Sequence, residues 1–155
     1  MSLLGWLGAS TKVSPRSLSP LTKVRTQPER IVLGVLGSRS NIRYDELYVS
    51  VLAPLVEAWG MPDEIILPAE GDSSQAIQQW ARTNNIPFCL VACDWAKSGR
   101  KAGLLRNARI QAESSHMLLL QGPRSNALSS LAARLDRKGR PVVISERPGL
   151  PVAIP

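Results

Sequence analysis

Short apolar runs alternate with amphipathic stretches along most of this chain, and that alternation restricts its fold more than any other feature. Five runs have the length and composition of buried strands: residues 31–36, 64–67, 87–92, 117–120 and 142–144. Between them, apolar residues recur at helical spacing over residues 44–59, 73–83, 100–113 and 125–138. Wholly apolar strands separated by amphipathic helices are typical of a parallel sheet covered on both faces. The sequence therefore predicts an α/β fold, a three-layer Rossmann-like sandwich around a five-stranded parallel sheet.

The two ends of the chain differ in composition from this alternating region. Residues 1–30 hold five basic residues and one acidic residue, so they carry more than half of the net charge of +7. Their proline, serine and like charges oppose packing and predict an extended basic arm. Residues 148–155 contain three prolines and predict an irregular tail on the surface. We therefore expect an arm over residues 1–30, one folded domain over 31–147 and a tail over 148–155.

Several protein classes are disfavoured by what the sequence lacks. No apolar run approaches the ~20 residues of a membrane span, so none is predicted. Cys89, Cys93 and the single His116 are too few for the common zinc sites, and we expect no metal and no cofactor. Four residues along an extended strand exceed the reach of a disulfide, so both thiols should be free in a reduced, cytoplasmic protein.

Glycine and polar residues follow each of the first four predicted strands, where ligands bind in open parallel sheets. The candidate binding residues are Gly37, Ser38 and Arg39; Gly71 and Asp72; Asp94, Trp95, Gly103, Arg106 and Asn107; and Gly122, Arg124 and Ser125. Glycine turns, arginines and helix starts attract anions. Ordinary helix caps and a solvated basic face are the alternative uses of the same residues. Trp80, at helical spacing, is predicted in the core, whereas Trp95 either stacks on a ligand base or closes the domain.

The order of these motifs resembles the SLOG superfamily of Rossmann-like nucleotide-binding domains, in particular the short YpsA-related group. The matching residues are Gly37-Ser38-Arg39, Trp80-Ala81, Asp94-Trp95, Gly99-Arg100, Ala102-Gly103 and Arg106-Asn107. The resemblance covers about residues 31–144 and excludes the arm. It implies a pocket for a nucleotide or nucleotide-derived ligand at the carboxyl edge of the sheet.

Two departures from the family pattern oppose catalysis. The Gly-Gly of the second motif is replaced around residues 68–70. The usual Pro-Gly-Gly-x-Gly-Thr phosphate loop is reduced to residues 121–126, where Pro123 removes a main-chain donor and no acid follows. The resemblance thus implies a binding module with little or no hydrolytic activity.

Three other functions stay open at this point. An N-glycosidic hydrolase of nucleoside monophosphates would have to use Glu70 or Asp94 as its carboxylate. A structural subunit would use a degenerate core and place residues 1–30 on a second copy or another protein, since Leu3, Leu4, Trp6 and Leu7 form an apolar patch. Nucleic-acid binding is compatible with the net charge but has no supporting motif.

Overall fold

The five strands form one sheet, and all neighbouring strands run parallel. The structure is a computed structural model that describes residues 29–123 and 126–154. The strands are β1 (Val32–Gly37), β2 (Glu64–Pro68), β3 (Phe88–Val91), β4 (His116–Leu120) and β5 (Val142–Ser145). Their order is β3-β2-β1-β4-β5, and Gly34 in central β1 pairs with Ile66 of β2 and Met117 of β4. The predicted α/β fold with a five-stranded parallel sheet is confirmed.

Each connection between strands contains helix. The helices are α1 (Tyr44–Leu47), α2 (Ala53–Trp59), α3 (Asp72–Thr83), α4 (Trp95–Ser98), α5 (Ala102–Glu113) and α6 (Ala127–Arg137). A π-helical segment, Tyr48–Leu52, joins α1 to α2, and a 3₁₀ turn, Gly99–Lys101, joins α4 to α5. The short α4 was not expected from apolar spacing. It forms because the Asp94 carboxylate accepts a hydrogen bond from the Lys97 N–H at 3.0 Å and so caps the helix.

The helices divide between the two faces of the sheet according to the alternation of the strand residues. Leu33 and Val35 of β1 point into one core, which they share with α1, α2 and α3. Leu36 of β1 points into the other core with Ile110 of α5 and the apolar face of α6. Trp80 is 1% exposed within the first core, as the spacing predicted. Each fully buried aliphatic side chain in these two cores stabilises the folded state by about 2 kcal/mol.

Pro54 at the start of α2 leaves one carbonyl of the preceding helical segment without its usual main-chain donor. Proline has no N–H, so it cannot donate to the carbonyl four residues earlier, which belongs to Ser50. The Ser50 carbonyl instead accepts a hydrogen bond from the Val152 N–H at 3.0 Å. Val152 and Ile154 also pack against the first core. The tail has no strand or helix over residues 148–154, and these contacts dock it against the first helical layer.

The remaining expectations about the chain ends fall mostly outside the described residues. The arm prediction covers residues 1–30, of which only Glu29 and Arg30 are described, and Arg30 pairs with Glu64 at 2.9 Å.

Cys89 and Cys93 are both free thiols. Within residues 29–123 and 126–154, no helix has both the length and the apolarity needed to cross a bilayer.

Candidate ligand site at the carboxyl edge of the sheet

The sheet order creates a switch point between β1 and β4. The connections that follow β1 and β2 place α1, α2 and α3 on one face, whereas α5 and α6 follow β3 and β4 on the other face. The chain therefore leaves neighbouring β1 and β4 toward opposite faces. Open parallel sheets bind ligands at such a point, outside the carboxyl ends of the strands.

The loops after β1 and β4 are in direct contact at the switch point. The Gly122 N–H donates a hydrogen bond to Ser38 Oγ at 2.8 Å, and the Ser38 N–H donates to the Leu120 carbonyl at 2.9 Å. A Cβ atom at Gly122 would lie 2.7 Å from the Ser38 carbonyl oxygen, so this approach requires glycine. Two predicted site residues thus meet, and in this structure they bind each other.

Arg39 lies beneath this contact and is 7% exposed. Its Nη2 donates to the Ser145 carbonyl at 2.6 Å and to Ser145 Oγ at 2.9 Å, while Nε donates to the Gln121 carbonyl at 3.3 Å. Burial lowers the pKa of its guanidinium, and the charge of Glu46 partly opposes that effect. The sequence predicted an anion-binding role for Arg39. In the structure, these donors bind the carboxyl ends of β4 and β5.

The first turn of α3 packs against the loop after β1. Asp72 Oδ2 accepts a hydrogen bond from the Asn41 N–H at 2.8 Å, and Ser73 Oγ donates to the Arg39 carbonyl at 3.2 Å. A Cβ atom at Gly37 would collide with Ser73 Oγ, so glycine permits this packing. Gly71 caps α3 with a φ of 107°, a conformation that favours glycine. The structure therefore brings together the loops after β1, β2 and β4.

A polar cavity of about 250 Å³ opens beside Asp72, between the loop after β1 and helix α3. Its lining consists of Asn41, Ile42, Tyr44, Asp72, Gln75, Ala76 and Gln79. Among these residues, only Asp72 was predicted from the sequence to bind a ligand. Gln75 and Gln79 lie four positions apart on the exposed side of α3, and that helical spacing was the available signal. Desolvation is the main cause that raises the pKa of the Tyr44 hydroxyl, with a contribution from Tyr48.

The loop after β3 contributes a basic segment with an exposed aromatic ring. Trp95 is 56% exposed, and Lys97, Arg100 and Lys101 are exposed after it. The Asp94 carboxylate is exposed and caps α4. The sequence has no acidic residue from position 95 to position 112. This segment therefore presents positive charge at the carboxyl edge, beyond the end of β3.

Helix α5 carries three further predicted site residues. Arg106 is half-buried, and its Nε donates to Asn107 Oδ1 at 3.1 Å. A Cβ atom at Gly103 would have no heavy atom within 4 Å, so packing does not explain that glycine. Arg109, one turn further, is exposed and pairs with Glu113 at 2.7 Å. Asp94 accepts its hydrogen bond from Lys97, and Arg106 donates to Asn107. Neither of these hydrogen bonds joins the region after β3 to another loop at the carboxyl edge.

The other predicted residues are placed as follows. Glu70, a candidate catalytic acid, is exposed after β2. Arg124 and Ser125 lie outside the described residues, and their binding role stays a prediction. In the described ranges 29–123 and 126–154, no three His, Cys, Asp or Glu side chains cluster in a way that could hold a metal ion.

The sheet order, the two helical layers and the polar loops at one edge define a Rossmann-like α/β domain of doubly wound topology. Comparison of the chain with protein-family models, with curated proteins and with solved structures finds no match in any of the three.

Proposed function

We propose that this chain is a binding module for a nucleotide or a nucleotide-derived small molecule. One observation carries the proposal: a polar cavity of about 250 Å³ opens at the carboxyl edge of a doubly wound parallel sheet. Parallel sheets of this order bind nucleotides at that edge. The resemblance to SLOG domains in the motifs after β1 and β3 supports the same ligand class.

The lining of the cavity suits the sugar and base of such a ligand. Asp72 supplies a carboxylate, which accepts hydrogen bonds from hydroxyl groups. Gln75 and Gln79 supply amides that both donate and accept, as the edges of a nucleobase require. Tyr44 adds an aromatic ring beside them.

The basic segment after β3 suits the phosphate and the base. Lys97, Arg100 and Lys101 raise the positive potential at the edge where an anionic ligand approaches. Trp95, with more than half of its surface exposed, offers a face for stacking on a base. Gly103 leaves open space over α5, so main chain can approach a ligand there.

We propose binding without appreciable turnover. Hydrolysis needs a positioned acid or base, which is worth about 10²–10⁴-fold in rate. The Asp94 carboxylate already accepts a hydrogen bond as a helix cap, and Glu70 is exposed to solvent. Pro123 provides no N–H to a phosphate in the loop after β4.

Gentle purification followed by mass spectrometry of the bound fraction tests the ligand class, and calorimetric titration with nucleoside mono-, di- and triphosphates then ranks the candidates.

Asp72→Asn keeps an oxygen for the Asn41 N–H but removes the charge, so nucleotide affinity should fall about tenfold or more. Asp45→Asn is the matched control, because Asp45 is exposed and pairs with Arg43, and its affinity should change less than about twofold.

Arg106→Ala offers a second test on the other side of the edge. Loss of a charged hydrogen bond to the ligand should weaken binding by about 1.5–3 kcal/mol. Arg109→Ala is its control on the same helix, since Arg109 already pairs with Glu113. Equal effects of the two substitutions would remove Arg106 from the site.

The hydrolase alternative has its own outcome. Release of free base from nucleoside monophosphates at ordinary enzymatic rates, lost in Glu70→Gln or Asp94→Asn, would replace the binding proposal with an enzymatic one.

Two accompanying proposals are a cytoplasmic location and an interaction role for residues 1–30, with a homo-oligomer or another protein as the partner. Light scattering of the full chain and of a chain without residues 1–27 measures that association.

A further inference from the structure

The two helical layers of this domain carry opposite charge. Residues 44–81, which include α1, α2 and most of α3, contain seven acidic residues and no basic residue. Residues 95–112, which include α4 and most of α5, contain five basic residues and no acidic residue. Helices α1, α2 and α3 cover one face of the sheet, and α5 covers the other. One side of the molecule is therefore predominantly acidic and the opposite side predominantly basic.

An apolar groove lies on the acidic side, between helices α2 and α3. Its volume is about 450 Å³, and we call it the α2–α3 groove. At its surface, Val49 is 70% exposed, Tyr48 46% and Met61 44%. Among the described residues that line the groove, only Glu57 is charged. The groove adjoins the polar cavity, because the Tyr48 ring centroid lies 6.4 Å from that of Tyr44. Exposed apolar side chains around a depression are typical of a binding surface.

A convex apolar surface lies on the basic side, along the outward face of helix α5. Leu104 is 72% exposed and Leu105 55%. Exposed alanines follow Leu104 by one and two helical turns, at positions 108 and 112. Lys101 precedes Leu105 by four positions and Arg109 follows it by four, and both are exposed. We call these six residues the α5 face, which combines protruding apolar side chains with positive charge.

The two surfaces are complementary to each other but not to themselves. Two α5 faces in contact would bring Lys101 and Arg109 of one copy against those of another, and two grooves would bring Glu57 against Glu57. Like charges in such contacts oppose association. An α5 face against an α2–α3 groove instead places basic residues beside an acidic one and covers the exposed apolar side chains of both. Because the surfaces lie on opposite faces of the sheet, a single copy cannot bring them together.

We propose that this chain associates head to tail, with the α5 face of one copy packed into the α2–α3 groove of the next. Every assembly that has not closed into a ring keeps one free groove and one free α5 face at its ends, so the contact repeats. This contact is separate from the role proposed for residues 1–30, and it does not rest on nucleotide binding.

Sedimentation velocity of the full-length chain without nucleotide tests the association. The mean mass should rise above that of a monomer as the protein concentration is raised about a hundredfold, because the contact follows mass action. Raising NaCl from about 0.05 M to about 0.5 M should lower the mean mass, since salt screens the attraction between Glu57 and the basic residues. A monomer at every concentration would overturn the proposal, and so would association that salt does not weaken.

Neutral substitutions on each surface locate the contact. Val49→Gln alters the groove, and a double variant with Leu104→Gln and Leu105→Gln alters the α5 face, without a change in net charge. Each variant should weaken self-association at least about tenfold. These positions are exposed, so the fold should be kept, which circular dichroism checks. Leu150→Gln is the control and should associate like the natural chain, because Leu150 is 50% exposed but belongs to neither surface.

Mixing the two variants distinguishes a head-to-tail contact from a two-fold one. The Val49→Gln chain keeps an intact α5 face, and the double variant keeps an intact groove. An equimolar mixture should therefore form a species of two copies that grows no further. A mixture that stays monomeric, or undiminished association of either variant alone, would contradict the proposal. Nucleotide is absent from these measurements, so failure of the proposed ligand site would leave their outcomes unchanged.

Discussion

At the scale of single residues, Arg39 connects parts of the chain that are far apart in sequence. Its hydrogen bonds run to Gln121 and Ser145, which lie 82 and 106 positions further along the chain. Because those acceptors end β4 and β5, one side chain joins the exit of the central strand to both. Its loss would leave the Gln121 carbonyl and Ser145 Oγ without the Arg39 donor, whereas the Ser145 carbonyl would keep the Gln121 N–H at 2.9 Å. A buried acceptor left unpaired costs more than its hydrogen bond contributes when intact.

Arg39→Ala should therefore lower the free energy of unfolding by about 2–3 kcal/mol. Urea denaturation followed by circular dichroism measures the change. Arg43→Ala is the control, because Arg43 forms an exposed pair with Asp45 and should change stability by less than about 0.5 kcal/mol. A similar, small effect of both substitutions would show that the Arg39 hydrogen bonds are replaceable by water.

His116 gives a prediction about pH. It is buried, its ring centroid lies 4.9 Å from that of Trp59 and its Nδ1 lies 2.8 Å from Ser115 Oγ. Burial lowers the pKa of the imidazole below its ordinary value of 6.5, with a smaller opposing effect from Glu29. The unfolded chain therefore binds this proton more readily than the folded chain does. The His116 contribution to stability is intact above about pH 6.5 and is lost as the pH falls toward the lower, folded-state pKa.

Urea midpoints at pH 7.5 and 5.5, compared between the natural chain and His116→Gln, measure that contribution. The natural chain should lose more stability over this interval than the variant, which has no histidine. Identical pH dependence in the two proteins would contradict the lowered pKa.

At the scale of elements, helix α5 contains a glycine that the fold does not use. Gly103 has open space around its missing Cβ, whereas Gly122 approaches the Ser38 carbonyl too closely for any side chain. Glycine inside a helix costs about 0.5–1 kcal/mol relative to alanine. Two glycines predicted for the same site therefore differ: packing requires Gly122, whereas no packing contact requires Gly103.

Gly103→Ala and Gly122→Ala should change stability in opposite directions. Gly103→Ala should raise the free energy of unfolding by at most about 0.5–1 kcal/mol, because Gly103 is the second residue of α5, and it should weaken nucleotide binding. Gly122→Ala should lower it by about 1–3 kcal/mol through overpacking. Thermal unfolding and ligand titration of both variants measure these effects, and stabilisation by Gly103→Ala without any loss of affinity would exclude close ligand approach at α5.

The sequence predicted the elements well because apolar spacing is local. The strands and the main helices follow from it to within a few residues, including the burial of Trp80. The partners of Arg39 could not be predicted, since nothing near position 39 shows that Ser145 will lie within 3 Å of it. The cavity lining was missed for a similar reason, because Gln75 and Gln79 resemble any solvated helix face until the loop after β1 lies beside them.

At the scale of the whole molecule, the C-terminal tail completes the first helical layer. The Val152 N–H binds the carbonyl that Pro54 cannot satisfy, and Val152 and Ile154 are partly buried against the core. The tail also places Gly149 against Glu46, so it follows the first helical connection over several residues.

Removal of residues 151–155 should lower the free energy of unfolding by about 2–3 kcal/mol, from one hydrogen bond and two half-buried aliphatic side chains. Chemical denaturation measures the loss. Leu150→Ser is the control, because Leu150 is 50% exposed and should contribute little. An unchanged midpoint after the truncation would show that the tail does not stabilise the fold.

The central position of β1 has a consequence for synthesis of the chain. Leu33 pairs with Ile65 on one side and with His116 on the other. During translation, β1, β2 and β3 are therefore complete well before β4 emerges, and the second side of β1 stays unpaired throughout that interval. An unpaired apolar strand edge recruits other chains, and late long-range pairing slows folding. Between the emergence of β3 and that of β4, the nascent chain therefore exposes an edge of β1 that β4 pairs with in the finished sheet.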